Sequence, residues 1–192
     1  MSRPELTGTA RLLLGMIRLG ARTGYDIKRR VEASTRFFWS ASPGQIYPEL
    51  KRLEADELVS RIEDPRGDRP RSVYSLTAAG EAALHEWLID PELAFELRNE
   101  GLLKLFFADA LSDEEAIGVV RAMRAAHEAK LAAIRRVGLV YRHEYRFAYI
   151  TWRYGLGIQA WIVQWCEELE RDLVEGRVPF EGRAHELAAS AR

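Results

Sequence analysis

The sequence predicts a mainly α chain with one small β-hairpin wing, on three observations. Apolar residues recur at three-and-four spacing over most of the chain. Only two short runs, Leu58–Glu63 and Ser72–Leu76, are β-prone. The segment that joins them, Asp64 to Pro70, consists of turn residues and arginines.

The 192 residues, 47% hydrophobic and 30% charged, suffice for one compact domain or two small ones. Residues 1 to 72 carry 14 Lys/Arg against 10 Asp/Glu, whereas the remainder carries 14 against 19. The net charge of -1 therefore hides a basic front and an acidic back, and a polyanionic partner is expected only at the front. Cys166 is the single cysteine, which excludes an intramolecular disulfide and a multi-cysteine zinc site and fits the cytoplasm. Apolar runs stop well short of the roughly 20 residues of a membrane span. Arg11 and Arg18 interrupt the early apolar segment, so no signal peptide is expected.

The elements follow in order. Thr9 to Leu19 places Ala10, Leu13, Leu14 and Ile17 at helical spacing and ends near Gly20. Thr23 and Asp26 form a capping box that opens a helix to Ala33, with Ile27 and Val31 on its apolar face. Ser42, Pro43 and Gln45 open a third helix to about Glu57. Its inner positions are Ile46, Leu50 and Leu53, which turns Gln45, Glu49, Lys51 and Arg52 outward. Pro48 lacks a backbone donor, so a bend or an irregular first turn is expected there. After the hairpin, Thr77 caps a helix to about Leu88, and Asp90-Pro91 marks a domain boundary.

The remainder reads as helical: Leu102 to Ala110, then Ser112 to about Val137 behind a capping box, then Glu144 to Glu175. In the last helix Phe147, Ile150, Tyr154, Ile158, Trp161, Trp165 and Leu169 form a seam that asks for a partner helix, and Leu173 extends it. The domains are thus 1–90, 91–176 and a mobile tail, 177–192.

Three helices followed at once by a hairpin with a basic tip have the order of a winged helix-turn-helix. A helix fits the major groove, where Gln45 and Lys51 can meet base edges, while Arg66, Arg69 and Arg71 on a narrow loop suit the minor groove. Tyr25 and Lys28 sit where phosphate contacts fix register.

Three ordered strings carry a resemblance: Gly24-Tyr25-Asp26-Ile27, the run from Gly44 to Glu54, and the run from Arg71 to Gly80. With them the chain resembles the PadR family of transcriptional regulators over about its first 90 residues. Leu102 to Phe107 and Trp161 to Glu167 are similar, more loosely, to its longer, AphA-type subfamily. The resemblance implies a homodimer on an inverted-repeat operator of double-stranded DNA, usually a repressor, released in some members by a small molecule. It also implies Tyr25 near the phosphates, Ser42, Gln45 and Tyr47 on the recognition helix, Lys51 and Arg52 toward DNA, and Arg69 and Arg71 on the wing. The helical C-terminal region is then the dimerisation region, with Phe106 in the match. Phe37-Phe38-Trp39 is bulkier than the family pattern, and Asp64 and Asp68 give the wing loop mixed charge.

Other chemistries fit less well. Gly155-Leu-Gly157-Ile-Gln-Ala160 has a dinucleotide-binding spacing but follows no strand, so its small residues are read as a close helix–helix approach. His85, His127, His143 and His185 each precede a glutamate without completing H-E-x-x-H, so no metal, cofactor or enzymatic activity is expected. Cys166 reads as a buried, inert thiol. The aromatic set around Trp152 and Trp161 is core or, alternatively, a stacking site for a small aromatic effector. The rival reading of the whole chain is a helical ligand-binding or protein-interaction module that keeps the winged fold without binding DNA.

Overall fold

The computed structural model describes residues 6–65, 71–93, 98–138 and 145–177. The wing tip with Arg66 and Arg69, the start expected at Glu144 and the tail 178–192 lie outside the described residues. The chain forms two compact units, Met1–Phe95 and Glu96–Arg192.

In the first unit the order is α1 (Gly8–Arg18), α2 (Gly24–Ala33), α3 (Pro43–Ala55), β1 (Val59–Asp64), β2 (Arg71–Leu76) and α4 (Ala78–Ile89), with a 3-10 turn at Thr35–Phe37. Thr7 caps α1 by accepting from the Ala10 amide, and the Thr23/Asp26 box opens α2. The core gathers Leu13, Leu14 and Ile17 of α1, Ile27 and Val31 of α2, and Ile46, Leu50 and Leu53 of α3. Tyr74, Ala83 and Leu84 close it from the hairpin and α4.

The third helix ends at Ala55, two residues before the expected Glu57, because Glu57 takes a left-handed conformation (φ 57°). Leu58 N–H then donates to Leu53 and Glu57 N–H to Glu54, the paired bonds of a Schellman stop. No break occurs at Pro48, contrary to the expected irregularity. The carbonyl that Pro48 cannot serve belongs to Gly44 in the exposed first turn, where water can satisfy it.

The hairpin is antiparallel, in register from Val59↔Leu76 to Asp64↔Arg71. Thr77 anchors its base to α4: the hydroxyl donates to the Glu57 carbonyl (2.7 Å) and accepts from the Gly80 amide (3.0 Å). A Cβ at Gly80 would lie 1.9 Å from the Leu58 carbonyl oxygen, so only glycine permits this close approach.

The second unit contains α5 (Glu100–Phe106), α6 (Asp113–Val137) and α7 (Arg146–Val174). The helix expected over Leu102 to Ala110 divides into α5 and a 3-10 turn at Ala108–Ala110. Asn99 caps α5, and the Ser112/Glu115 box opens α6. Val120, Met123 and Cys166 form a buried cluster with Leu105, Val119, Ile162, Trp165, Leu169 and Leu173 packed around it. The buried His127 pairs its Nδ1 with the Gln159 amide oxygen (2.6 Å). Near the end of α6 the Ile134 carbonyl accepts from the Trp152 indole (3.0 Å). Among the described residues no helix is long and apolar enough to cross a membrane.

Candidate nucleic-acid interface

The rotation of α3 about its axis is fixed by Ile46, Leu50 and Leu53, all fully buried. At 100° per residue, the side opposite them carries Gly44, Pro48, Lys51 and Ala55, flanked by Gln45 and Arg52 on one side and Tyr47 on the other. This outward face is what a major groove would meet.

Gln45 closes the capping box with its amide oxygen, accepting from the Ser42 amide (2.9 Å) and hydroxyl (3.2 Å). The oxygen fixes the side chain at the helix start, and the amide nitrogen stays available for an acceptor. Ser42 is correspondingly committed to the cap. Lys51 is exposed and makes no ion pair among the described residues. Arg52 is different: its Nη2 pairs with Glu49 at 2.8 Å, so its charge is partly neutralised from within the helix.

On α2, Tyr25 is exposed, and Lys28 reaches Glu32 one turn on (3.7 Å). Arg29, one turn beyond Tyr25 on the same face, is a further exposed cation that the sequence reading did not single out. Tyr47 lies across the start of α2, where Gly24 makes room for its ring. On the wing, Arg71 is exposed at the open end of the hairpin, opposite Asp64. Arg61, also missed, is held by Glu63 (3.0 Å) and Glu54 (3.6 Å) and ties the wing to α3. Arg22 adds a second tie: its carbonyl accepts from the Tyr74 amide (2.8 Å) and its guanidinium donates to Ser75 (3.2 Å). A single long-range backbone bond leaves no periodic signal, which is why spacing did not reveal it.

Ile150, Tyr154 and Trp161 of the expected seam are exposed and Ile158 is half-buried. Trp165 and Leu169 pack instead on the cluster of their own chain. Phe106 is exposed and meets Phe107 edge-on. Trp152 and Trp161, read as candidate stacking surfaces for an effector, do not share a face of α7. Nine positions apart, the two rings lie half a turn from each other on opposite faces of α7. Trp152 stacks on Tyr149 and Trp161 on Trp165, so one protomer cannot clamp a ligand between them. A Cβ at Gly155 would lie 3.5 Å from Ile134 Cδ1, an ordinary contact, and one at Gly157 would meet nothing within 4 Å, so of the two glycines only Gly155 faces α6. Among the described residues no cluster of three or more His, Cys, Asp or Glu could hold a metal ion.

Residues 13–86 match the transcriptional regulator PadR-like family, and residues 97–173 match the virulence activator alpha C-terminal family. The negative transcriptional regulator PadR of Bacillus subtilis is 34% identical over 125 residues, which cover 64% of this chain and 69% of that protein. The chain belongs to the PadR-like family. It is a family of transcriptional regulators and not of enzymes. Among solved structures, B. subtilis PadR in complex with operator DNA aligns with TM-score 0.77 and 27% identity over 85% of this chain and 97% of that one. The same protein in complex with p-coumaric acid aligns with TM-score 0.72 and 26% identity over 86% and 95%. The Vibrio cholerae virulence activator AphA gives TM-score 0.70 and 26% identity over 88% and 99%. These neighbours extend the PadR-like likeness beyond the winged helix-turn-helix into the helical second unit.

Proposed function

We propose that this PadR-like protein is a homodimeric repressor that binds an inverted-repeat operator in double-stranded DNA in the cytoplasm and is released by a small aromatic effector. The observation that carries the reading is the outward face of α3, where Lys51 and the amide nitrogen of Gln45 have no partner among the described residues, in the same unit as an arginine-bearing hairpin. Gln45 and Lys51 read base edges, Ser42 and Tyr47 shape the approach, and Tyr25 and Lys28 set register on the phosphates. Arg66, Arg69 and Arg71 follow the minor groove. Residues 1–90 form the reading domain and 91–176 the dimerisation domain, through Phe106, Ile150, Tyr154, Ile158 and Trp161. The apolar side chains that the second unit leaves exposed on α7 support this, because a surface stripe of this kind belongs to an interface. The complexes of B. subtilis PadR with operator DNA and with p-coumaric acid support the choice of partners.

The test is selection of bound fragments from the genome followed by footprinting. Two protected half-sites about one DNA turn apart, roughly 34 Å centre to centre, are expected of a two-fold dimer. Recovery of no preferred fragment would return the chain to the rival reading, a helical interaction module.

A further inference from the structure

The flank of α3 between its core side and its outward face carries Glu49, whose side chain is only 14% exposed. One carboxylate oxygen, Oε1, receives two donors: the Thr7 hydroxyl at 2.6 Å and Arg52 Nη2 at 2.8 Å. Thr7 is the N-cap of α1, and its oxygen accepts from the Ala10 amide (3.0 Å). The hydroxyl therefore has one proton to give and gives it to Glu49. That second anchor, 42 residues away in sequence, stops the carboxylate from following a moving arginine. Arg52 in turn is 40% exposed, while its Nε is buried without a partner. Its guanidinium is drawn back along the helix and not extended toward solvent.

Arg52 lies seven positions from Gln45 and shares its side of α3. Freed from Glu49, it would extend on the side that meets DNA. A cation there adds affinity for every sequence, because phosphate contacts carry no base information. Resting on the DNA-binding reading above, we propose that Glu49 is a positioning residue that withholds Arg52 from the phosphate backbone and so limits sequence-independent binding. The recognition helix then meets DNA through Lys51 and Gln45, with one fewer indiscriminate contact per protomer.

The experiment measures log K against log salt for the full chain on its selected fragment and on a scrambled duplex, in wild type, Glu49→Gln, Arg52→Ala and the double variant. Glutamine keeps an acceptor for Thr7, and a thermal melt of each variant checks the fold. Glu49→Gln should steepen the slope by about 0.9 for each Arg52 that reaches a phosphate, on both duplexes, equivalent to about eightfold in affinity per decade of salt. Arg52→Ala alone should leave the slope unchanged, and the double variant should return it to the wild-type value. A slope flattened by Arg52→Ala alone would mean that Arg52 already contacts phosphate, and overturns the proposal. So would a steepening that persists in the double variant, since it would come from removal of the Glu49 charge itself, and so would an unchanged slope in Glu49→Gln. Wild-type protein that binds neither duplex defeats the DNA reading instead, before any variant is compared.

Discussion

The ring of Tyr47 on α3 covers the start of α2 at Gly24, so closely that a Cβ at position 24 would lie 2.5 Å from its Cε1. The two helices of the reading motif are therefore set against each other by an aromatic edge on a glycine. Gly24→Ala should destabilise the protein by about 1 to 3 kcal/mol, as overpacking does. In a Tyr47→Ala background the same change should cost little. Urea denaturation of the four proteins gives the coupling, and strictly additive costs would show that the contact is not what requires glycine.

Most of this motif was legible in the sequence because its determinants are local. Thr23/Asp26 and Ser42/Gln45 are three residues apart and cap their helices as read, and Ile46, Leu50 and Leu53 point inward as their spacing requires. The unread features are those set by distant contacts. The Thr7–Glu49 link joins residues 42 apart, and the chain it forms with Arg52 turns an arginine read as facing DNA into an ion-paired one. The seam of α7 was read as one stripe, yet α6 of the same chain covers Trp165 and Leu169 and leaves Ile150, Tyr154 and Trp161 exposed. Periodicity finds an apolar face without saying which helix covers it.

That division predicts two different outcomes on one helix. Ile150→Glu or Tyr154→Glu should leave the protomer folded by circular dichroism and yield monomers in sedimentation velocity, since neither side chain is buried within the chain. Leu169→Asn, which opens the cluster around Val120 and Cys166, should lower the melting temperature. Dimers that survive both glutamate variants would locate the interface elsewhere.

Acid should loosen the second unit. Glu170 bridges α7 to α6 through Arg121 (2.6 Å) and Arg124 (2.7 Å), and the Arg121 hydrogen bond holds its carboxyl below the usual carboxylate range. A depressed folded value means that the stabilisation is complete above the ordinary carboxylate range and is lost as pH falls through the folded value. The drop in melting temperature from pH 7 to pH 4 should be smaller in Glu170→Gln than in wild type. Equal drops would show that the bridge does not couple to folding.

Cys166 should behave as a silent thiol. It is fully buried, and burial pushes its thiol above the ordinary value, so thiolate is scarce at neutral pH. A thiol-specific chromophore should react only in denaturant. Rapid labelling of the native protein would mean that the α6–α7 cluster opens readily.

The central claim, that α3 reads DNA, is tested most directly by fluorescence anisotropy of wild type and Lys51→Ala on the DNA upstream of the protein's own gene and on a scrambled duplex, over a range of salt. Wild type should bind the upstream DNA selectively, with log K falling steeply against log salt, and Lys51→Ala should lose about 1 to 3 kcal/mol of affinity for that DNA. Equal, weak binding to both duplexes by both proteins would contradict the claim.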